Sequence, residues 1–192
     1  NNQDLAEATT ELTDPAVQCK IGNPLDRGNT AWYGLSTGAS EVYLKSSTGS
    51  GFSAVLVIVT GTPGNFKAVV GGCNEDGAAN FGAALDGLRL AANTNYSIMV
   101  ARPSQASAAT PLNFTAGIAT VKRVTKLNDT NDGDCSIADC SLREAVQSPG
   151  GGAIELPAGD YTLSIPGSSE NAGNTGDLDI GKGIFFYGAG AA

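Results

Sequence analysis

The 192-residue chain is predicted to be all-β, an antiparallel β-sandwich followed by stacked strands under one short helical lid. Three observations lead there. With 26 Gly and only 16% charged residues, the composition favours a turn-rich β protein over a helical one. Seven segments of strand length lie at short spacing between Thr30 and Ala116, the pattern of a sandwich. After Cys135 the pattern changes to a helix-start signal followed by short alternating fragments.

Residues 1–15 are polar apart from Leu5, Ala6 and Ala8, and form a loose arm closed by Pro15. The sandwich strands are predicted at Thr30–Leu35, Glu41–Leu44, Ala54–Thr60, Lys67–Val70, Leu88–Leu90, Tyr96–Ala101 and Leu112–Ala116. Between them stand Thr48-Gly49-Ser50-Gly51, Gly61-Thr62-Pro63-Gly64-Asn65 and Ala92-Asn93-Thr94-Asn95. Their Gly, Pro and Asn meet the unusual dihedrals of tight turns, so the hairpins are expected to be antiparallel. Four stretches, Ala31-Trp32-Tyr33, Ala54-Val55-Leu56-Val57-Ile58, Cys73-Asn74-Glu75-Asp76 and Ala92 to Val100, resemble the pre-peptidase C-terminal-like β-sandwich of secreted bacterial proteins. The resemblance covers Asp14 to Ala119 and implies a non-catalytic accessory domain at 16–119. Gly117 to Thr125 then leads into 120–192 without a long linker.

In Cys135 to Val146, Ser141 and Glu144 have capping-box spacing, where hydroxyl and carboxylate each satisfy a backbone N–H at a helix start. A helix is predicted from Leu142, with Leu142, Ala145 and Val146 on one apolar stripe and Ser148-Pro149-Gly150-Gly151-Gly152 ending it. Strand fragments follow at Ala153–Pro157, Tyr161–Ile165, Leu178–Ile180 and Gly183–Gly188. The motifs Cys140-Ser141-Leu142-Arg143-Glu144-Ala145, Leu156 to Leu163 and Gly176-Asp177-Leu178-Asp179-Ile180 resemble, in order, the CSLREA-type domain of bacterial exported proteins. This resemblance, over Val121 to Gly190, implies the capped first coil or coils of a right-handed parallel β-helix.

No stretch approaches the roughly 20 apolar residues of a membrane span, and the chain opens at Asn1 without an initiator Met, as after signal-peptide removal. The formal charge of -8, without a Lys/Arg cluster, argues against nucleic acid as a partner. Four cysteines fit an oxidising compartment, and without His or C-x-x-C spacing they do not form a zinc site. They read as two disulfides, Cys19 with Cys73 and Cys135 with Cys140, against the alternative of free buried thiols. Secretion or display at a bacterial cell surface is the expected localisation.

The absence of His removes Ser-His-Asp and Cys-His arrangements and the commonest general base. Asp177 and Asp179 would share one strand face, yet with Leu178 and Ile180 inward both point to solvent, and no catalytic residue is assigned. The stretch Asn128-Asp129-Thr130-Asn131-Asp132-Gly133-Asp134 packs oxygen ligands around a glycine. Asn128, Asp129, Asn131, Asp132 and Asp134 are therefore candidate calcium ligands, with an Asx-rich turn as the alternative use of the same side chains. Asn74-Glu75-Asp76 poses the same choice, and Trp32, Tyr33 and Tyr43 form either a sugar platform or, as the stronger reading, core.

The expected function is that of an exported, non-catalytic surface or matrix protein acting in adhesion or self-assembly. Its expected ligands are polysaccharides or cell-surface groups. The alternative is the N-terminal accessory part of a polysaccharide-active β-helix enzyme. Ile184, Phe185, Phe186 and Tyr187 make an apolar strand that would recruit a second copy by β-addition, up to a filament; the alternative is a monomer with this strand tucked against the lid or sandwich.

Overall fold

The computed structural model describes residues 2–3, 14–15, 19, 27–48, 54–75, 82–103, 112–148, 152–181 and 183–190. Nine strands belong to the first part of the chain: β1 (Asn2–Gln3), β2 (Arg27–Ser36), β3 (Val42–Ser47), β4 (Val55–Thr62), β5 (Asn65–Glu75), β6 (Ala84–Leu90), β7 (Asn95–Pro103), β8 (Leu112–Asn113) and β9 (Thr115–Ile118). The second part holds β10 (Val121–Arg123), α1 (Leu142–Gln147), β11 (Gly152–Leu156) and β12 (Ile184–Gly188). The all-β class is thus observed, with one short helix among the described residues. Two compact units result, one of Asn1–Leu85 and Arg89–Gly117, the other of Asp86–Leu88 and Ile118–Ala192.

In the first unit, β2-β7-β4-β5 form an antiparallel sheet and β6-β3-β9 a second, three-stranded one. The run Val55 to Val59 is β-branched or apolar at every position, and both its faces are buried. Val55, Val57 and Val59 join Met99 and Ala101 in one cluster, against which Trp32, Phe66, Cys19 and Cys73 pack. On the other face Leu56 and Ile58 lie with Ile98 and Val100, all at 2% exposure or less. Trp32 stacks on Phe66 with ring centroids 4.9 Å apart, and Tyr33 on Phe114 at 4.5 Å, so these rings serve packing rather than a sugar platform. The Cys19–Cys73 disulfide is formed.

Two features of this unit were not expected. The register of β4 with β5 jumps from Val57↔Cys73 to Val59↔Ala68, so residues 69–72 bulge out of the edge strand. Val70 at that bulge is 95% exposed and Gly71 takes φ +75°, an arrangement that interrupts a flat edge otherwise open to pairing. The polar arm is also more than loose chain. Asn2–Gln3 pairs antiparallel with β8, and buried Asp14 accepts a 2.8 Å hydrogen bond from the Thr30 hydroxyl. Residues 1 and 4–13 of the arm lie outside those described.

The second unit is organised by a parallel sheet in the order β10-β11-β12. Val121 pairs with Ala153 and Ala153 with Phe185, a step of 32 residues each time. Side chains of paired residues share a face, giving columns Lys122–Ile154–Phe186 on one side and Arg123–Glu155–Tyr187 on the other. Ile154 belongs to a core with Val124, Cys140, Ala145 and Val146, flanked by Leu142, Leu156, Tyr161, Leu178 and Ile184. The predicted apolar stripe of α1 supplies three of these contacts. Gly152, which opens β11, has φ +107°, and a Cβ there would lie 2.3 Å from the Thr120 carbonyl oxygen.

Two predicted strands are absent. Tyr161–Ile165 and Leu178–Ile180 have no ladder, although Tyr161 and Leu178 still pack on the core. The backbone N–H groups of Ser164 and Ile165 both donate to the Asp129 carboxylate, at 2.8 and 3.0 Å, and the Asp177 carbonyl accepts from Arg143. At Ser164, Ile165 and Asp177 side chains thus supply the partners that a neighbouring strand would otherwise give.

Candidate functional site around Arg143 and Asp129

The site begins with the start of α1. Ser141 has extended dihedrals, φ -79° and ψ 168°, and its hydroxyl oxygen accepts from the Glu144 N–H at 3.2 Å while its own N–H donates to Glu144 Oε2 at 2.7 Å. This is the predicted capping box. Glu144 does more than cap, because its Oε1 also accepts from the Thr130 hydroxyl at 2.8 Å and the Asp132 N–H at 3.1 Å. Burial pushes its carboxyl up, but the Ser141 N–H, the Thr130 hydroxyl and the Asp132 N–H outweigh that and hold it below the usual range.

One residue before Glu144, helical geometry turns Arg143 to another side, where it is fully buried. Its Nε donates to Asp129 Oδ1 at 2.8 Å and its Nη2 to Asp129 Oδ2 at 2.9 Å, a bidentate ion pair. Nη1 donates to the carbonyls of Gly173 at 2.7 Å and Asp177 at 3.1 Å, and Nη2 also to that of Gly176 at 2.7 Å. All five N–H donors of the guanidinium therefore have partners. The hydrogen bonds from Arg143 hold Asp129 down at about 2 against its burial, helped by the Ile165 and Ser164 N–H groups, and Asp129 in turn raises Arg143.

This geometry decides how the predicted calcium residues are used. Asp129 faces a guanidinium rather than an open cation site. Asn131 donates from Nδ2 to the Asn174 carbonyl at 3.1 Å. Asp132 Oδ1 accepts from the Asp134 N–H at 3.0 Å, an Asx turn, and its Oδ2 lies 3.6 Å from Lys126 Nζ. Asn128 and Asp134 are exposed. Among the described residues no group of three or more His, Cys, Asp or Glu side chains stands where it could hold a metal ion. Of the five, Asp132 makes the local turn of the alternative reading, while Asp129 and Asn131 bond to residues far along the chain. Asn74 likewise spends its Oδ1 on the Ala84 N–H at 3.1 Å, and Asp76 lies outside the described residues.

Lys126 stands at the centre of the acidic loop, in ionic contact with Asp139 and 3.6 Å from both Asp132 and Glu144. Its hydrogen bond to Asp139 raises its pKa, and it neutralises part of the charge that the loop concentrates. The Cys135–Cys140 disulfide closes this loop. The Thr125 N–H donates to the Cys140 carbonyl at 2.9 Å, which ties the loop to the end of β10. Asp177 and Asp179 do not share a strand face as expected: Asp179 Oδ2 accepts from the Gly173 N–H at 3.0 Å, and Asp177 uses its backbone carbonyl on Arg143.

Chemically the centre is a clasp. It holds a charged donor and a charged acceptor in mutual saturation, and it pins residues 129, 164–165 and 173–177 against α1. The pairing of Asp129 with Arg143 was missed from sequence. The available signal was the stretch Asn171 to Gly176, which has a single apolar residue and no strand pattern, so that its backbone carbonyls need donors from elsewhere in the chain. Ile184, Phe185, Phe186 and Tyr187 lie in β12, whose one neighbouring strand among the described residues is β11, with the Phe185 and Tyr187 rings stacked at 6.3 Å. Comparison of the chain with protein-family models, curated proteins and solved structures finds no match.

Proposed function

We propose that the protein is a non-catalytic scaffold exported to the cell surface or extracellular matrix, where it acts in adhesion or self-assembly. A β-sandwich is joined in it to the opening coils of a parallel β-helix. The observation that supports this reading best is the constant 32-residue step from β10 to β11 to β12, the signature of coils that stack by repetition. The saturated Arg143–Asp129 clasp agrees with it, because the most strongly perturbed acid in the second unit is consumed in holding loops together. Two disulfides fit an oxidising compartment.

The test is incubation of the purified chain with soluble and insoluble polysaccharides and with bacterial envelopes, reading both release of reducing ends and retention of the protein. Retention or self-association without release is expected. Release of reducing ends that an Asp177→Asn or Asp179→Asn substitution abolishes would overturn the proposal.

A further inference from the structure

The two halves of the Cys135–Cys140 disulfide stand in different surroundings. Cys140 is fully buried in the core with Val124, Ala145, Val146 and Ile154. Its N–H donates to the Thr125 hydroxyl at 2.9 Å and its carbonyl accepts from the Thr125 N–H at 2.9 Å, so its position does not depend on the S–S bond alone. Cys135 is only partly buried and lines an open cleft of about 480 Å³ with Val121, Lys122, Arg123, Ser136 and Ile137. Lys122 brings a cation to this cleft. Arg123 is paired with Glu155, whereas among the described residues the Lys122 ammonium group has no ion-pair partner.

We propose that Cys135 is a thiol-exchange site, at which a small anionic thiol enters the cleft and is held as a mixed disulfide. The site is independent of the assembly reading. The incoming thiolate attacks Cys135 Sγ, a new S–S bond forms there, the Cys135–Cys140 bond breaks, and its electron pair leaves on Cys140 Sγ. The proton lost by the thiol on ionising ends on Cys140, so one thiol and one disulfide are present before and after. The Ser141 carbonyl oxygen lies 3.6 Å from Cys140 Sγ and can accept from the S–H so formed.

Exchange rates depend on which sulfur a thiolate can reach, and here the half-cystine on the cleft wall is Cys135. Cys140 stays where Thr125 and the core hold it, in place to attack the mixed disulfide, expel the small thiol and close the loop again. A cleft of about 480 Å³ has the size of a small-molecule site, and the unpaired Lys122 favours the approach of an anion.

The native chain is incubated with reduced glutathione, quenched with acid at early times, alkylated and mapped by mass spectrometry of its peptides. Glutathione is expected on Cys135 and the alkyl group on Cys140. The reverse pattern, or no adduct at either cysteine until urea unfolds the chain, would overturn the proposal. With glutathione disulfide, Cys140→Ala should take up one glutathione on Cys135, while Cys135→Ala should leave Cys140 unmodified; circular dichroism checks the fold of both. Should either variant fail to fold, the map of the unmodified chain decides. Lys122→Gln tests the route: the rate with glutathione relative to that with cysteamine, which lacks its carboxylates, should fall about fivefold, the order set by one unit-charge contact in water. An unchanged ratio would overturn the cleft as the way in.

Discussion

Arg143 and Asp129, 14 residues apart, meet in a bidentate pair with Nε–Oδ1 at 2.8 Å and Nη2–Oδ2 at 2.9 Å, the side chains 0% and 1% exposed. Burying two charges is costly on its own, and the cost is offset only where every remaining donor and acceptor is satisfied. Here the three other guanidinium N–H groups reach the carbonyls of Gly173, Gly176 and Asp177, and two backbone N–H groups reach Asp129 Oδ2. The pair is the hub through which three loops are held on one helix.

Arg143→Met should therefore destabilise the second unit by about 3–5 kcal/mol, since it leaves a buried carboxylate and three carbonyls without their partner. Arg143→Lys should recover only part of this, because an ammonium cannot match the planar fork. The single Trp, Trp32, lies in the first unit, so its fluorescence reports on the sandwich. Limited proteolysis within 164–177 reports on the clasp. Cleavage there should accelerate in both variants while the Trp32 unfolding transition stays in place.

Acid should act through Asp129. Its pKa is lowered from 3.8 to about 2 in the folded chain, so its stabilisation is present above the unfolded value and is lost as pH falls from about 4 towards 2. The shift corresponds to roughly 2 kcal/mol. Urea titrations followed by proteolytic susceptibility should show this loss over that window, and Asp129→Asn should be less stable at neutral pH and flatter in its acid dependence. An acid limb of unchanged steepness in Asp129→Asn would assign the effect to other carboxylates.

Gly152→Ala should be costly despite its small size. The residue sits at φ +107° with the Thr120 carbonyl oxygen 2.3 Å from the position of a Cβ, so the added methyl meets backbone that cannot swing away. A loss of about 1–3 kcal/mol is expected from the dihedral alone, with the clash adding to it. Gly117→Ala, where a Cβ would meet nothing within 4 Å, is the control. Thermal melts of the two variants should separate clearly.

Calcium should leave the thermal midpoint unchanged, and so should a chelator. The carboxylate best placed to serve as a ligand, Asp129, is already bound by a tethered cation, and Asp132 is spent on an Asx turn and on Lys126. A midpoint that rises with calcium would mean that the loop rearranges to release these oxygens. Calorimetric titration would then give the stoichiometry.

The capping box of Ser141 and Glu144, the apolar stripe of α1, both disulfide pairings and the run Val55 to Val59 were all legible in the sequence. Each depends on residues a few positions apart, on a period, or on the count of cysteines. Tertiary structure alone decided that Tyr161–Ile165 is a loop, because the carboxylate that takes up the Ser164 and Ile165 N–H groups comes from elsewhere in the chain. For the same reason Asp129, read as a calcium ligand among other oxygens, became the counter-ion of Arg143. A carboxylate binds whichever cation the fold brings to it, and neither residue's neighbours in sequence specify which one that is. The 32-residue step was equally hidden: Val121, Ala153 and Phe185 share no identity, and only their pairing in one sheet reveals the repeat.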